Sequence, residues 1–283
     1  MPILLPFIVL DQNALSRDAL LQPAIKEARA GGLKLMLTDA AVIELVEGAD
    51  WERRFRAGLA RLAPVPELVT FARSVPDLIR MEAATGRPAY DDIEDPELRS
   101  GIRALLTETQ LRKGPTLDYM RSQIQGTKAR ILPQYLNGAA NKTKIARYVD
   151  LFKDQFGGSE RRKLADPIYR REQLSGTAWT DMIARILANI GFSNPLGVAR
   201  GNSIQVQNIF AEMLVAMRWY RDSGIEGADE DKLTNDLMDA EYVVIASYCH
   251  GFASEDGRAR SLWEDLAAIA AQRARKYTDV AAS

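Results

Sequence analysis

Cysteine and histidine are almost missing from this 283-residue chain: Cys249 and His250, neighbours in sequence, are the only ones. One cysteine closes no intrachain disulfide, and one of each leaves no zinc site of the usual Cys/His type. A reducing compartment fits that usage. The pair itself is not a catalytic dyad, because adjacent helical residues point to different sides and there is no second histidine; Cys249 reads as a small core residue. Long apolar runs are missing too. None reaches the roughly 18 residues of a membrane span. The apolar segment from Met1 to Leu10 lacks a basic leading region and a clear cleavage site and is cut off by Asp11, so no signal peptide is expected. A cytoplasmic protein with no membrane partner follows. Internal repeats and low-complexity tracts are absent as well.

Net charge is nearly absent, at −1, and by itself argues against nucleic acid. The charges are nevertheless segregated. Between Arg121 and Arg171 twelve basic residues face only four acids, an excess of eight positive charges, whereas Asp91, Asp92, Glu94, Asp95 and Glu97 form an acidic pole. With 47% hydrophobic and 27% charged residues the chain is globular, long enough for one large core or two modest ones.

Pro2 to Leu10 is continuously apolar and ends in Asp-Gln-Asn, as expected of a strand buried on both faces of a parallel sheet. Ser16 to Ala30 predicts a helix closed by Gly31-Gly32, Leu33 to Leu37 a second strand, and Thr38 or Asp39 caps a helix running to Gly48. From Trp51 to Ser223 the periodicity is helical. A helix over Asn235 to Tyr248, a brief strand over Gly251 to Ser254 and a last helix from Arg258 to Lys276 resume the β/α pattern.

The polar residues that these elements carry are mostly carboxylates. Asp11 lies where a parallel strand ends, the place where ligand sites of open α/β sheets gather, although Asp11 or Asn13 also suits a helix cap. Glu44 sits between Val42, Ile43, Leu45 and Val46, either as part of a solvated stripe or as a functional group. Asp236 and Asp239, at i and i+3, share a helix face and repel, so either the helix dipole near a Thr234/Asn235 cap or a divalent metal compensates them. Asp256, between Glu255 and Gly257, suits a turn, a cap or a ligand.

Their order resembles the PIN-like nuclease family: Asp11-Gln12-Asn13, then Glu44, then Asn235-Asp236 with the run from Asp239 to Ala246, then Ser254-Glu255-Asp256. The resemblance covers roughly residues 1–50 and 232–275. It implies an α/β fold, a PIN-like parallel sheet flanked by helices, built from residues 1–50 plus 232–283, with a large all-helical insertion over 51–231. It implies a metal-dependent endoribonuclease with Asp11, Glu44, Asp236, Asp239 and Asp256 as catalytic acids. Of these, Asp11, Asp236, Asp239 and Asp256 would ligate Mg²⁺ or Mn²⁺, and Asn13 and Ser254 would support them. Between the two neighbouring aspartates, spacing to Ala246 favours Asp239. Hard cations prefer carboxylate oxygen and water, so neither histidine nor cysteine is needed. The chain departs from the compact PIN toxins in the length of its insertion.

Within the basic stretch, Lys128, Arg130, Lys142, Lys144, Arg147, Arg161, Arg162 and Lys163 are candidates for the backbone of a single-stranded or structured RNA. Tyr135, Tyr148, Phe152 and Tyr169 could stack bases or fill the core. Arg161-Arg162-Lys163, after Gly157-Gly158, suggests an exposed loop. Trp51, Trp179, Trp219 and Trp263 read as packing residues. Two alternatives stay open: a non-catalytic PIN-like scaffold binding RNA or protein, and a toxin controlled by an antitoxin partner.

Overall fold

The computed structural model describes residues 4–46, 49–111, 114–116, 118–119, 122, 137–222 and 224–281. Strand β1, Leu5–Leu10, is apolar throughout and ends buried, and the chain turns at Asp11 into the short helix α1, Gln12–Ser16. Helix α2, Asp18–Gly31, stops where Gly32 takes φ 64°, a conformation that costs a residue without Cβ nothing. Strand β2, Lys34–Leu37, and helix α3, Asp39–Val46, follow, then α4, Trp51–Leu62, and strand β3, Val69–Phe71.

The sheet is parallel, in the order β3-β2-β1-β4, where β4 is Cys249–Ala253. Ile8 pairs with Leu35 on one side and with Gly251 on the other, and Leu35 pairs with Val69. The first three strands therefore step outward in one direction, and the chain returns to β1's other edge for the fourth. Ligand crevices in such sheets open beyond the carboxyl ends of the strands where that direction reverses, here between β1 and β4. A gross α/β class is thus observed, and no helix among the described residues is long and apolar enough to cross a membrane.

Residues 51–231 are not helical throughout, because they contribute β3. Three residues are too few to show period-two alternation, which is why the strand is invisible in sequence. Among the described residues this range also holds α5, Val75–Thr85; α6, Pro96–Leu111; α7, Gly138–Gln155; α8, Gly158–Lys163; α9, Pro167–Leu174; α10, Thr177–Asn189; α11, Pro195–Arg200; and α12, Ile204–Asp222. Fourteen residues of α12 are buried, which makes it a central element. Its first turn is held by a distant acid: Glu82 accepts from the backbone N–H groups of Ile204 (2.7 Å), Gln205 (2.9 Å) and Ala89 (3.0 Å). Three donors otherwise lost to burial are satisfied by one carboxylate, which ties α5 to α12. Burial nonetheless raises the Glu82 carboxyl above its ordinary range.

Helix α13, Glu230–Ala246, packs against α12 and leads into β4, and α14, Gly257–Ala281, closes the chain. A second anchor is Asp265 of α14, buried between two guanidinium groups: Arg170 Nε lies 2.7 Å from Oδ2 and Arg171 Nε 2.6 Å from Oδ1. The last β/α unit and the helices before it share one hydrophobic core.

Candidate acidic site at the carboxyl ends of β1 and β4

Asp11 is buried at the end of β1, and its backbone N–H donates to the Ala253 carbonyl at 3.3 Å, which fixes it against the end of β4. One carboxylate oxygen, Oδ1, caps α1 by accepting from Ala14 N at 2.7 Å, so the cap expected from sequence is formed. Burial raises its carboxyl pKa, opposed by hydrogen bonds from Ser254, Ala14 and Asn13. Both expected supporting residues therefore touch Asp11. Ser254 Oγ also accepts from Asp256 N at 3.0 Å and so shapes the turn after β4.

Asp256 caps α14, with Oδ1 accepting from Arg258 N (2.6 Å) and Ala259 N (3.1 Å). Glu44, on α3, receives the Tyr242 hydroxyl at 2.6 Å, and Tyr242 is fully buried. Hydroxyl donation to a carboxylate at that distance is a strong, charge-assisted contact that fixes one rotamer of Glu44. Burial first, and then the charges of Glu44, Asp11 and Asp239, oppose ionisation of the phenol.

Asp239 carries the heaviest burden. Burial first, then the charges of Asp256, Glu44 and Asp236, push its carboxyl up to about 8, against only partial relief from Arg218. Four acids contributed by α3, α13 and the β4–α14 turn thus share one electrostatic neighbourhood. Asp11 lies beside it through Ser254.

The two aspartates of α13 differ in their company. Sequence places them in the first turn of a helix capped near Asn235, but α13 begins at Glu230 with Asp229 as its cap, so they sit in later turns and the dipole compensates neither. Asp236 is compensated by arginine instead. Arg218 Nη2 is in ion-pair contact with Asp236 Oδ2, without hydrogen-bond geometry, and Arg258 Nη1 lies 3.9 Å from Oδ1. Trp219 Nε1 donates to Oδ2 at 2.8 Å. Arg218, Trp219, Arg258 and Tyr242 belong to none of the acidic motifs in the sequence, yet each contacts one of those acids. Tyr242 follows Asp239 at i+3 and was accessible to helix spacing; Arg218 and Trp219 come from another helix, which no local spacing reveals.

Among the described residues, no three or more acids stand close enough to hold one metal ion in the side-chain arrangement seen. The reason is visible in their partners, since Asp11 and Asp256 face backbone N–H groups and Asp236 faces arginine. The donor chemistry suits a hard divalent cation all the same: the set is carboxylate oxygen, and its negative charge adds to burial in raising the Asp239 carboxyl.

The basic candidates scatter. Lys142 Nζ donates to the Glu226 carbonyl (3.2 Å), Lys144 Nζ pairs with Glu212 (3.0 Å), and Arg161 donates to the Arg221 carbonyl (3.2 Å) while lying over the Tyr220 ring. Arg147, Arg162 and Lys163 are exposed, and Lys163 lies over Tyr169. Residues 161–163 belong to the short helix α8 rather than a loop. Lys128, Arg130 and Tyr135 lie outside the described residues. Phe152 is core, packed on Phe156, Trp179 and Tyr220, and Tyr148 donates to Glu212 at 3.3 Å. Cys249 is buried, as expected, and its thiol donates to the Ile245 carbonyl.

Family models, curated proteins and solved structures were each compared with this chain, and none matches.

Proposed function

We propose that this chain is a metal-dependent ribonuclease with a PIN-like core, hydrolysing phosphodiester bonds at the acids gathered beyond β1 and β4. The observation that supports it best is Asp239, whose carboxyl is driven to about 8 by burial first and then by the charges of Asp256, Glu44 and Asp236, at the switch point of a parallel sheet. Four carboxylates crowded in a partly buried place destabilise one another unless positive charge joins them. A divalent cation supplies that charge.

In this reading Asp11, Asp239 and Asp256 would hold Mg²⁺ or Mn²⁺, with Asp236 available if Arg218 released it. Such an ion, when bound, would supply Lewis-acid chemistry: a water of lowered pKa and charge neutralisation at phosphorus. Glu44, fixed by Tyr242, would orient a water by hydrogen bonding and accept its proton. Asn13 and Ser254 hold Asp11 in place. Exposed basic residues such as Arg147 and Arg162 meet the RNA backbone away from the reacting atoms.

Asp11→Asn is the test. The amide oxygen still accepts from Ala14 N, so the cap and the fold survive, while the ligand charge is lost. Replacing even an outer partner of a metal typically costs 10–100-fold, so a direct ligand should cost more than about 100-fold in Mn²⁺-dependent cleavage of a labelled RNA. Unchanged cleavage at an unchanged melting temperature sinks the reading.

The scaffold alternative has its own supporting observation: Asp11 and Asp256 serve as caps and Asp236 is already paired with arginine. Calorimetric titration separates the two. Saturable Mn²⁺ binding that Asp239→Asn removes favours the enzyme; no binding favours the scaffold.

A further inference from the structure

Beside the acids lies a cavity of about 470 Å³ between α12, α13 and α14, lined by Arg218, Trp219, Arg221, Lys232 and Arg258, with Arg170 deeper in. Five cations meet three acids there, Asp222, Asp236 and Asp265, which leaves an excess of two positive charges. Two cations are already committed: Arg170 to Asp265, and Arg221 to Asp222 through contacts of 2.5 and 2.9 Å. Lys232 and Arg258 remain for a ligand: Lys232 is exposed, and the Arg258 side chain is 65% exposed with only a 3.9 Å approach to Asp236. Arg218 is ion-paired with Asp236, although its buried Nη2 makes no hydrogen bond.

The geometry points to this cavity as the subsite for a nucleotide unit of the RNA strand adjoining the bond that the acids act on, its phosphate held by Arg218, Lys232 and Arg258. This rests on the ribonuclease reading. Three features support it. The volume exceeds a bare phosphate and falls within the range of small-ligand clefts. Asp236 lines the cavity and lies one helical turn from Asp239, so the cavity adjoins the acids. Guanidinium groups suit phosphate oxygens, being planar and able to donate in pairs. Occupation by phosphate also gives Arg218 an alternative partner, which frees Asp236 to turn toward a metal. The arginine pair thereby couples strand binding to completion of the acidic site.

The experiment measures binding without cleavage: fluorescence anisotropy of a labelled single-stranded RNA in EDTA, over a salt series. Lys232→Ala and Arg258→Ala each remove one phosphate contact, so each should weaken binding about 5–10-fold and flatten the slope of log affinity against log salt by about 0.7. Arg258→Lys should recover most of the loss, whereas Arg29→Ala, exposed on α2, should change nothing. Both substituted side chains are exposed, so folding is not at stake. Wild-type affinity and slope in the Lys232→Ala/Arg258→Ala double variant would overturn the subsite, as would failure of the unmodified protein to bind RNA. Since EDTA removes the metal, the result is independent of the Asp11→Asn cleavage assay, which judges the ribonuclease reading separately.

Discussion

Asp239→Asn should make this protein more stable. The carboxyl titrates at about 8 in the folded chain against an ordinary 3.8. A raised folded pKa means that the native state binds this proton more tightly than the unfolded chain does, so the stabilisation is complete below about pH 4 and drains away as pH climbs to 8. Four units at ~1.4 kcal/mol each set a ceiling of about 6 kcal/mol above pH 8. Asp239 keeps some solvent contact, which screens the repulsion, so roughly 2–4 kcal/mol is the expected cost of the charge. An amide of the same shape carries none of it. For a chain of this size that gain amounts to about 3–7 °C in melting temperature. Scanning calorimetry in EDTA at pH 8 should show Asp239→Asn melting higher by that margin, and at pH 4.5 the two curves should nearly coincide. Mn²⁺ at pH 8 should raise the wild type and leave the variant unmoved, since only a state that binds the ion is stabilised by it. A variant that melts at or below wild type at pH 8, or a difference that ignores pH, refutes the charge-crowding argument.

Two further substitutions probe how the frame holds the site. Glu82→Ala orphans three buried N–H groups and should cost about 3–5 kcal/mol in urea denaturation, with Glu82→Gln losing clearly less because one carbonyl oxygen still accepts; equal losses would show that the carboxylate is not the clasp. Tyr242→Phe removes only the hydroxyl that fixes Glu44. It should cost about 1–2 kcal/mol of stability and lower Mn²⁺-dependent RNA cleavage about 10-fold or more, and unchanged cleavage would disconnect Tyr242 from the site.

Much of the frame was written in local pattern. An apolar run ending in Asp11 needs no long-range information to read as a buried parallel strand, and Gly31-Gly32 marks the end of α2 as plainly as any residue can. Where length fell below the period of the signal, as in β3, the pattern failed. The sequence suggests a start for α13 near Thr234 and Asn235, both good cap residues, but the true cap, Asp229, lies before a turn of acids and lysine that carries little apolar periodicity. The acids themselves were legible as an ordered set, but their partners were not. Arg218 and Trp219 reach Asp236 from α12, Tyr242 binds Glu44 across 198 positions, and the electropositive cavity combines residues from four helices, α9, α12, α13 and α14. Such pairings are decided by packing, which a single sequence does not record. The +8 tract illustrates the converse: an obvious local excess of charge, several of whose members are spent on neighbouring carbonyls, carboxylates and rings.

Because β4 pairs with β1, the floor beneath these acids joins segments made far apart in time. The ribosome adds roughly 5–20 residues per second, so Leu5 waits on the order of ten to fifty seconds for Cys249, its register partner. Until then the outer edge of β1 has no neighbour, and Asp11 has neither the Ala253 carbonyl nor Ser254 beside it. A nascent or prematurely terminated chain consequently lacks these contacts around Asp11. The arrangement arrives late and all at once, when the final β/α unit docks.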